Sequence, residues 1–296
     1  TAIGIEWTDL PGIEISEQAS RNAAALATLR QVDLLVCVLR GFADSNIPHP
    51  SGGVDPRRDW NVLRSEFLLA DLDSVIRRIE KLKKTVDRPT PTQEQDKREL
   101  ALLTRCNEAL EAERALREVI RTPEEQKMVR GFGFLSEKPA LCVINIGEEE
   151  SPAVAIEKYR DVGEAVFAVS AHLEWELSLL SEEERPDFMA EMGIDELAGP
   201  RLLRAAHNLL GRITFFTVSE KEVSAWSIPA GTQAVDAAGE IHTDMARGFI
   251  RAEVVAFDTL REAGSMKQAK ERNLVRLEGK HYEVADGDVV FFRFHV

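Results

Sequence analysis

Short apolar runs, separated by longer amphipathic stretches, dominate the first two thirds of the chain. Four of these runs have the length and β-branched content of strands that are buried on both faces of a parallel sheet. A stretch rich in Ala and Leu, residues 16–30, lies between the first two runs and predicts a crossover helix. This alternation predicts a doubly wound, Rossmann-like α/β sheet. The predicted strands are residues 2–7, 34–39, 140–146 and 166–169.

The charged segment at residues 63–130 has helical periodicity, since its leucines and isoleucines recur at intervals of three and four. Pro89 and Pro91 interrupt this pattern and should break the helix. The sequence Thr90-Pro91-x-Gln93 predicts a capping box that starts a second helix. Two amphipathic helices joined by a proline turn predict an antiparallel coiled-coil insertion.

Capping motifs and turn residues predict the elements of the remaining chain. Thr122-Pro123-x-Glu125 predicts another capped helix. Further on, short alternating runs separated by Gly and Asp turns predict a small α+β domain. Ala237-Ala-Gly239 and Asp286-Gly-Asp288 predict turns within it. The expected domains are residues 1–62 with 131–211 for the α/β sheet, 63–130 for the helical insertion and 212–296 for the C-terminal domain.

Length, cysteine spacing and net charge limit the classes of protein and of partner that fit this sequence. A length of 296 residues with 44% hydrophobic content allows two or three domains with a sizeable core. The three cysteines lie far apart without CxxC spacing, which predicts buried thiols and a cytoplasmic protein. A net charge of −14 opposes adhesion to anionic membranes or DNA, so neither partner is expected and any RNA contact must be local. The histidines show no paired metal spacing, which argues against zinc.

Three polar motifs follow predicted strands. Asp9-Leu-Pro-Gly12 comes after the first, Asn145-Ile-Gly-Glu148 ends the third, and Ser170-Ala171 closes the fourth. Taken singly, each also fits an ordinary turn at the end of a strand. Their order along the strands favours a nucleotide site over three unrelated turns.

This order resembles that of P-loop NTPases of the translation-factor class. In that class the Asp of DxxG reaches Mg²⁺ through water and the Gly amide meets the γ-phosphate, which implies these roles for Asp9 and Gly12. The resemblance also implies that Asn145–Glu148 and Ser170-Ala171 adjoin the base. Glu148 stands where these GTPases have Asp, and Ile146 stands where they have Lys, so adenine is the expected base. The implied base-binding residues are Asn145, Ile146, Glu148, Ser170 and Ala171.

More specifically, the chain resembles the YchF/Obg-like ATPase family from Asp9 to the C-terminus. The family implies a P-loop NTPase domain, a coiled-coil insertion and a C-terminal TGS domain of ubiquitin-like, β-grasp type. It also implies that ATP is preferred to GTP, bound with Mg²⁺, and that the protein acts with the ribosome or RNA. The segments that carry the resemblance include residues 46–52, 69–73, 145–148, 182–193 and 239–252.

Several features depart from an ordinary GTPase. The phosphate-binding GxxxxGK[ST] is absent from the sequence, and we expect that a segment preceding Thr1 supplies it. Ile13 follows the switch glycine and cannot orient water, so hydrolysis should be slow and needs another loop, K⁺ or a partner. No catalytic residue is assigned. Residues 14–21 are acidic and helix-prone where the family has a Gly- and Lys-rich switch, which predicts altered switching.

The C-terminal domain offers a candidate RNA or ribosome contact. Arg247, Phe249 and Arg251 combine positive charge with an aromatic ring, although ordinary surface arginines fit equally well. The alternative function is a nucleotide-independent adaptor that binds RNA or protein through its coiled-coil arm and TGS domain. A GxxxxGK[ST] encoded upstream of Thr1 would favour the switch over the adaptor.

Overall fold

The computed structural model describes residues 3–13, 19–218 and 222–295. The chain divides into two compact units, which are described separately. The larger unit is Asp9–Leu203, and the described part of the smaller comprises residues 3–8, 204–218 and 222–295. Among the described residues, none of the helices combines the length and apolar character needed to cross a bilayer.

A three-stranded parallel sheet forms the centre of the larger unit. After α1 (Ala19–Leu29), its strands are β1 (Leu35–Arg40), β2 (Ala140–Asn145) and β3 (Ala165–Val169), in the order β1-β2-β3. The first five residues of β2 are buried, as expected for a central strand covered on both faces. Three of the predicted strands are therefore confirmed, with bounds that differ by one residue.

The prediction of a first strand at residues 2–7 is wrong for its described part. Residues 3–8 contain neither helix nor strand, and the side chains of Ile5 and Trp7 are 47% and 51% exposed. A strand depends on hydrogen bonds to a neighbouring strand, which a short apolar run alone does not supply. The predicted helix at residues 16–30 is confirmed from Ala19 onward, while residues 14–18 lie outside the described part of the chain.

Two long helices, α2 (Pro56–Thr85) and α3 (Gln93–Glu111), pack against each other as a helical hairpin. Helix α2 begins earlier than predicted because Asp55 caps it, accepting hydrogen bonds from the Arg57 and Arg58 amides. Arg78 of α2 donates two hydrogen bonds of 2.7 Å to Glu99 of α3. The buried side chains of the two helices at this contact are Val75, Leu82, Leu102, Leu103, Cys106, Ala109 and Leu110.

The two predicted capping boxes had different outcomes. The box at Thr90 is wrong, because Thr92 is the N-cap of α3 and Gln93 instead donates to the Val86 carbonyl at 3.1 Å. The box at Thr122 is confirmed at the start of α4 (Pro123–Val129), where Glu125 closes it. The larger unit continues with α5 (Pro152–Lys158), α6 (Ala171–Leu179), α7 (Arg185–Glu191) and α8 (Ala198–Leu209), the last of which extends into the smaller unit.

The smaller unit contains a five-stranded mixed sheet. Its elements are β4 (Arg212–Val218), β5 (Val223–Pro229), α9 (Ala234–Ile241), α10 (Thr243–Arg247), β6 (Phe249–Ala256), α11 (Phe257–Ala263), α12 (Met266–Glu271), β7 (Arg276–Glu278) and β8 (Asp288–Phe294). The strand order is β5-β4-β8-β6-β7, and β4 runs parallel to β8. The remaining strand pairs are antiparallel.

Of the two turns predicted from sequence in this unit, one is confirmed and the other is wrong. Asp286-Gly-Asp288 is a turn, as predicted, and Gly287 has a φ of 80°. The predicted turn at Ala237-Ala-Gly239 is wrong, because these residues lie inside α9. Ala237 and Ala238 are fully buried there, so their small side chains allow the helix to pack closely on the sheet.

Candidate nucleotide-binding site

The carboxyl ends of the three parallel strands meet at one edge of the sheet. Arg40 pairs with Asn145, and Asn145 pairs with Val169. The segments that follow these strands therefore start side by side, which is where open α/β sheets bind ligands. Both predicted base motifs, at Asn145 and at Ser170, begin at this edge.

Asn145 ties the strand ends together. Its side-chain Oδ1 accepts a hydrogen bond of 3.0 Å from the Ala171 amide, and its carbonyl accepts one of 2.7 Å from the Gly41 amide. A Cβ at position 41 would lie 2.7 Å from the Ile144 Cγ2 atom, so glycine permits this approach. Gly41 was not predicted as a site residue. Asn145 and Ala171 are thus joined by a hydrogen bond.

The side chains of Ser170 and Ile146 have structural roles, one as a helix cap and the other in the core. The buried Ser170 is the N-cap of α6, and its hydroxyl accepts from the Leu173 amide at 3.4 Å. Ile146 is 2% exposed and packs in the core beside Ile144 and Ala168. Contact between Ile146 and a base would therefore have to come from its main chain.

Glu148 lies beyond the end of β2 with its carboxylate exposed. Its Oε1 atom lies 2.6 Å from the Nδ1 atom of His172, in the first turn of α6. The imidazole ring is 5.8 Å from the Trp175 ring, between centroids. His172 was missed at the sequence level, because only the fold brings it to Glu148. Its position directly after Ser170-Ala171 was the one available signal.

The Asp9–Gly12 segment belongs to the same unit and has no regular secondary structure. Asp9 and Gly12 are exposed, and a Cβ added at Gly12 would meet no atom within 4 Å. A carboxylate oxygen such as that of Asp9 suits Mg²⁺, which binds proteins through few carboxylates and keeps several waters. Within the described ranges, no cluster of three His, Cys, Asp or Glu residues forms a metal site.

Asp71 of α2, within the stretch Leu69-Ala-Asp-Leu-Asp73, forms a buried junction. Its Oδ1 atom accepts from Arg30 Nη1 at 2.6 Å and from the Leu135 amide at 3.1 Å. Its Oδ2 atom accepts from the amide and hydroxyl of Ser136 at 2.9 and 2.8 Å. The carboxylate therefore joins the end of α1 to α2 and to the segment that precedes β2. Sequence reasoning did not identify this junction.

The predicted RNA-contact residues differ in exposure and in local structure. Arg247 ends α10, exposed, with its Nη1 atom 3.8 Å from Asp244. Phe249 packs into the core of the smaller unit, with its ring centroid 6.1 Å from that of Phe292. The strand register shifts between Phe249 and Arg251, and Arg251 is exposed.

Known proteins resemble this chain along most of its length. The family model YchF-GTPase_C, described as "Protein of unknown function (DUF933)", matches residues 212–295. The "Ribosome-binding ATPase YchF" of Bacillus subtilis (strain 168) is 41% identical, covering 98% of this chain and 81% of that protein. The protein of the same name from Escherichia coli O157:H7 is 36% identical, covering 99% and 82%. The solved structure of the Schizosaccharomyces pombe YchF GTPase superposes with a TM-score of 0.74 at 26% identity, covering 92% of this chain and 75% of that one.

Proposed function

This chain belongs to the YchF family, and we propose that it is a nucleotide-dependent switch that binds ATP in preference to GTP and acts with the ribosome. The observation that carries the proposal is the hydrogen bond between the Asn145 side chain and the Ala171 amide. It holds the loop bearing Glu148 against the start of α6, at the sheet edge where α/β folds bind nucleotides. The names of the relatives support ATP and the ribosome as partners.

In this function, some side chains and amides of the chain bind the base and others bind the phosphates. The Glu148 carboxylate accepts a hydrogen bond from the exocyclic amino group of adenine. Asp9 and the Gly12 amide face the phosphates, where bound Mg²⁺ supplies positive charge and K⁺ is a further candidate. Ile13 packs beside Leu35 in the core, so it cannot orient water and hydrolysis is slow.

The proposed switch keeps the domains expected from the sequence as a proposal: residues 1–62 with 131–211 as the nucleotide-binding domain, 63–130 as the helical arm and 212–296 as the TGS domain. The compact units divide the chain differently, after Leu203, and residues 3–8 belong to the smaller one. The Arg30–Asp71 contact supports transmission between the first two, because α1 follows the switch segment and Asp71 belongs to the arm. Ordering the switch on ATP would thereby bias the arm.

Calorimetric titration of the intact protein, including any residues encoded before Thr1, tests nucleotide binding. We expect ATP to bind more tightly than GTP. Glu148→Ala should weaken ATP by about tenfold, as expected for one hydrogen bond to a charged group. Glu149→Ala is the matched control, since Glu149 is the adjacent exposed carboxylate. Intact protein that binds no ATP would refute the switch and favour the adaptor.

We further propose that the ribosomal contact includes Arg251 and RNA. Arg251 lies directly opposite Arg293 in the pairing of β6 with β8. Like charges in directly opposite positions destabilise a sheet. Glu253 is shared between Arg293 at 2.6 Å and Lys270 at 2.7 Å, so this face keeps an excess of positive charge. Phe291, which pairs with Glu253 across β6 and β8, is 48% exposed. Aromatic rings on positively charged faces of this kind stack with bases.

Cosedimentation with ribosomes across a salt series tests this contact. Arg251→Gln should weaken binding and reduce the slope of log K against log salt by about 0.7–0.9, the value of one phosphate contact. Arg261→Gln is the control, because Arg261 is also exposed in this unit and pairs locally with Asp258. An unchanged slope for Arg251→Gln would exclude it as a phosphate contact.

A further inference from the structure

We propose that the exposed face of helix α6 in the larger unit docks a basic, apolar segment of a partner protein. The face is formed by Trp175 and Leu179, whose side chains are 58% and 66% exposed. They lie four residues apart in the helix, so their side chains are neighbours on its surface. Apolar side chains that adjoin each other and stay exposed mark interaction sites. This surface lies outside the proposed nucleotide switch and concerns a protein partner.

Helix α6 carries apolar side chains on two sides. Leu177 is fully buried and Leu173 is partly buried, and this pair attaches the helix to the larger unit. A helix that only covers a core has polar residues on its outer side. The outer side of α6 instead presents an indole ring and a leucine. The fold therefore uses one apolar stripe of this helix and leaves the second uncovered.

Carboxylates lie at both ends of this helix. At its start, the Glu148 Oε1 atom is 2.6 Å from the Nδ1 atom of His172. At its end, Arg185 donates two hydrogen bonds of 3.0 Å to carbonyls of the helix terminus, which holds the three exposed glutamates at 182–184 nearby. Residues 171–191 contain seven Asp and Glu residues, and Arg185 is their one Arg or Lys. The apolar face is therefore surrounded by negative charge.

This charge decides which occupant fits. Nucleic acid and anionic membranes are repelled by carboxylates. A second copy of the chain in a two-fold contact would place the same acidic residues against each other, which is unfavourable. A segment that combines Lys or Arg with apolar side chains complements both the acidic surroundings and the apolar stripe. Trp175 is the expected anchor, because tryptophan is among the residues that carry most binding energy at interfaces.

Titration of the intact protein with a labelled basic peptide, followed by fluorescence anisotropy without nucleotide, tests the apolar face. The probe is a synthetic helix of about 18 residues with Leu at helical spacing and Lys between. Trp175→Ser and Leu179→Ser should each weaken binding by about tenfold or more. Leu69→Ser is the matched control, because Leu69 is 58% exposed on α2, and it should keep the affinity within about threefold.

A second pair of variants tests the charge. Glu182→Gln combined with Glu183→Gln should weaken binding by about threefold at low salt, and the difference should vanish near about 1 M salt, where charges are screened. Glu80→Gln combined with Glu108→Gln is the control, since both carboxylates are exposed on the helical hairpin. These control substitutions should leave the affinity unchanged.

The outcomes separate the possible occupants. Trp175→Ser protein that binds the peptide as tightly as the unsubstituted protein overturns the docking face, as does equal binding of a peptide with Glu in place of Lys. A doubled molar mass in light scattering that Trp175→Ser reverses identifies a second copy as the occupant and also overturns the proposal. Because nucleotide is absent from the assay, failure here leaves the proposed switch standing, and failure of ATP binding leaves this surface standing.

Discussion

Replacing the buried Asp71 should destabilise the larger unit strongly. The carboxylate is fully buried and lies 2.6 Å from the Arg30 guanidinium, which is itself 19% exposed. It also accepts from the Leu135 amide and from both donors of Ser136. Asp71→Asn removes the charge with almost no change in volume, so the cost reports electrostatics and hydrogen bonding and not a cavity.

The magnitude follows from what remains after the substitution. Removing one partner of a buried ion pair costs about 3–5 kcal/mol, because the other charge stays buried without compensation. Arg30 keeps its bonds to the Phe132 and Ala70 carbonyls, both at 3.0 Å, which softens the loss. We therefore expect Asp71→Asn to lower the free energy of unfolding by about 3 kcal/mol, the low end of that range.

A double-mutant cycle isolates the pair. Arg30→Met alone should also destabilise the unit, because it leaves Asp71 charged and buried. The double variant should cost less than the sum of the single variants by at least about 1 kcal/mol, since the two charges are then removed together. Asp73→Asn serves as the control: Asp73 is exposed on the same helix, pairs with Arg77, and its loss should cost less than about 0.5 kcal/mol.

Thiol labelling in urea provides an assay specific to this unit. All three cysteines of the chain are buried free thiols in the larger unit. Burial raises the pKa of Cys37 and Cys142 to about 12 and that of Cys106 to about 11, so at pH 8 they react only after unfolding. A loss of about 3 kcal/mol should lower the urea midpoint by about 1–3 M. A loss below about 1 kcal/mol, or strict additivity in the cycle, would refute the reasoning.

The remaining predictions concern the same unit and its neighbour. Gly133→Ala should destabilise the larger unit by about 1–3 kcal/mol more than Gly52→Ala in the labelling assay. Both glycines have positive φ, so that cost is shared, but at residue 133 a Cβ would lie 2.5 Å from the Arg30 carbonyl oxygen, and at residue 52 it would meet no atom within 4 Å. The free energy of unfolding of the larger unit should fall as the pH rises from 9 toward 12, because the pKa of the thiols in the folded state exceeds their ordinary value of 9.0. Urea titrations at alkaline pH measure this dependence, which Cys→Ala variants should flatten. Tyr282→Phe should cost about 1 kcal/mol in the smaller unit by removing a 2.7 Å hydrogen bond to the buried Asp288, measured as faster amide exchange in β8.

The parts of the fold that were predictable depend on local sequence. The three parallel strands follow from continuous apolar runs, and the Thr122 cap from four residues in a row. The first predicted strand failed because strand formation depends on a distant partner. The Ala237–Gly239 segment failed because helix packing, which a short window cannot show, favoured small residues over a turn.

The same limit applies to the candidate site. Asn145 and Ser170 could be located because strand ends and caps have local signatures. His172, Gly41 and the Arg30–Asp71 pair could not, since each acts through a residue brought near by the fold. Partners separated by tens of residues leave no periodic signal in a single sequence.

The structure also explains how the base motif tolerates divergence. Ile146 replaces a lysine of the related GTPases, yet its main-chain amide still donates to the Val169 carbonyl at 2.9 Å, as any residue's would. Asn145 and the Ser170 cap place the loop through bonds to backbone atoms, whereas Ile146, which is 2% exposed, is restricted to an apolar residue by its core packing. In the proposed function, variation at the exposed Glu148 would by contrast change the group offered to the base. Under that proposal, substitutions at Glu148 should alter nucleotide binding before they alter the fold.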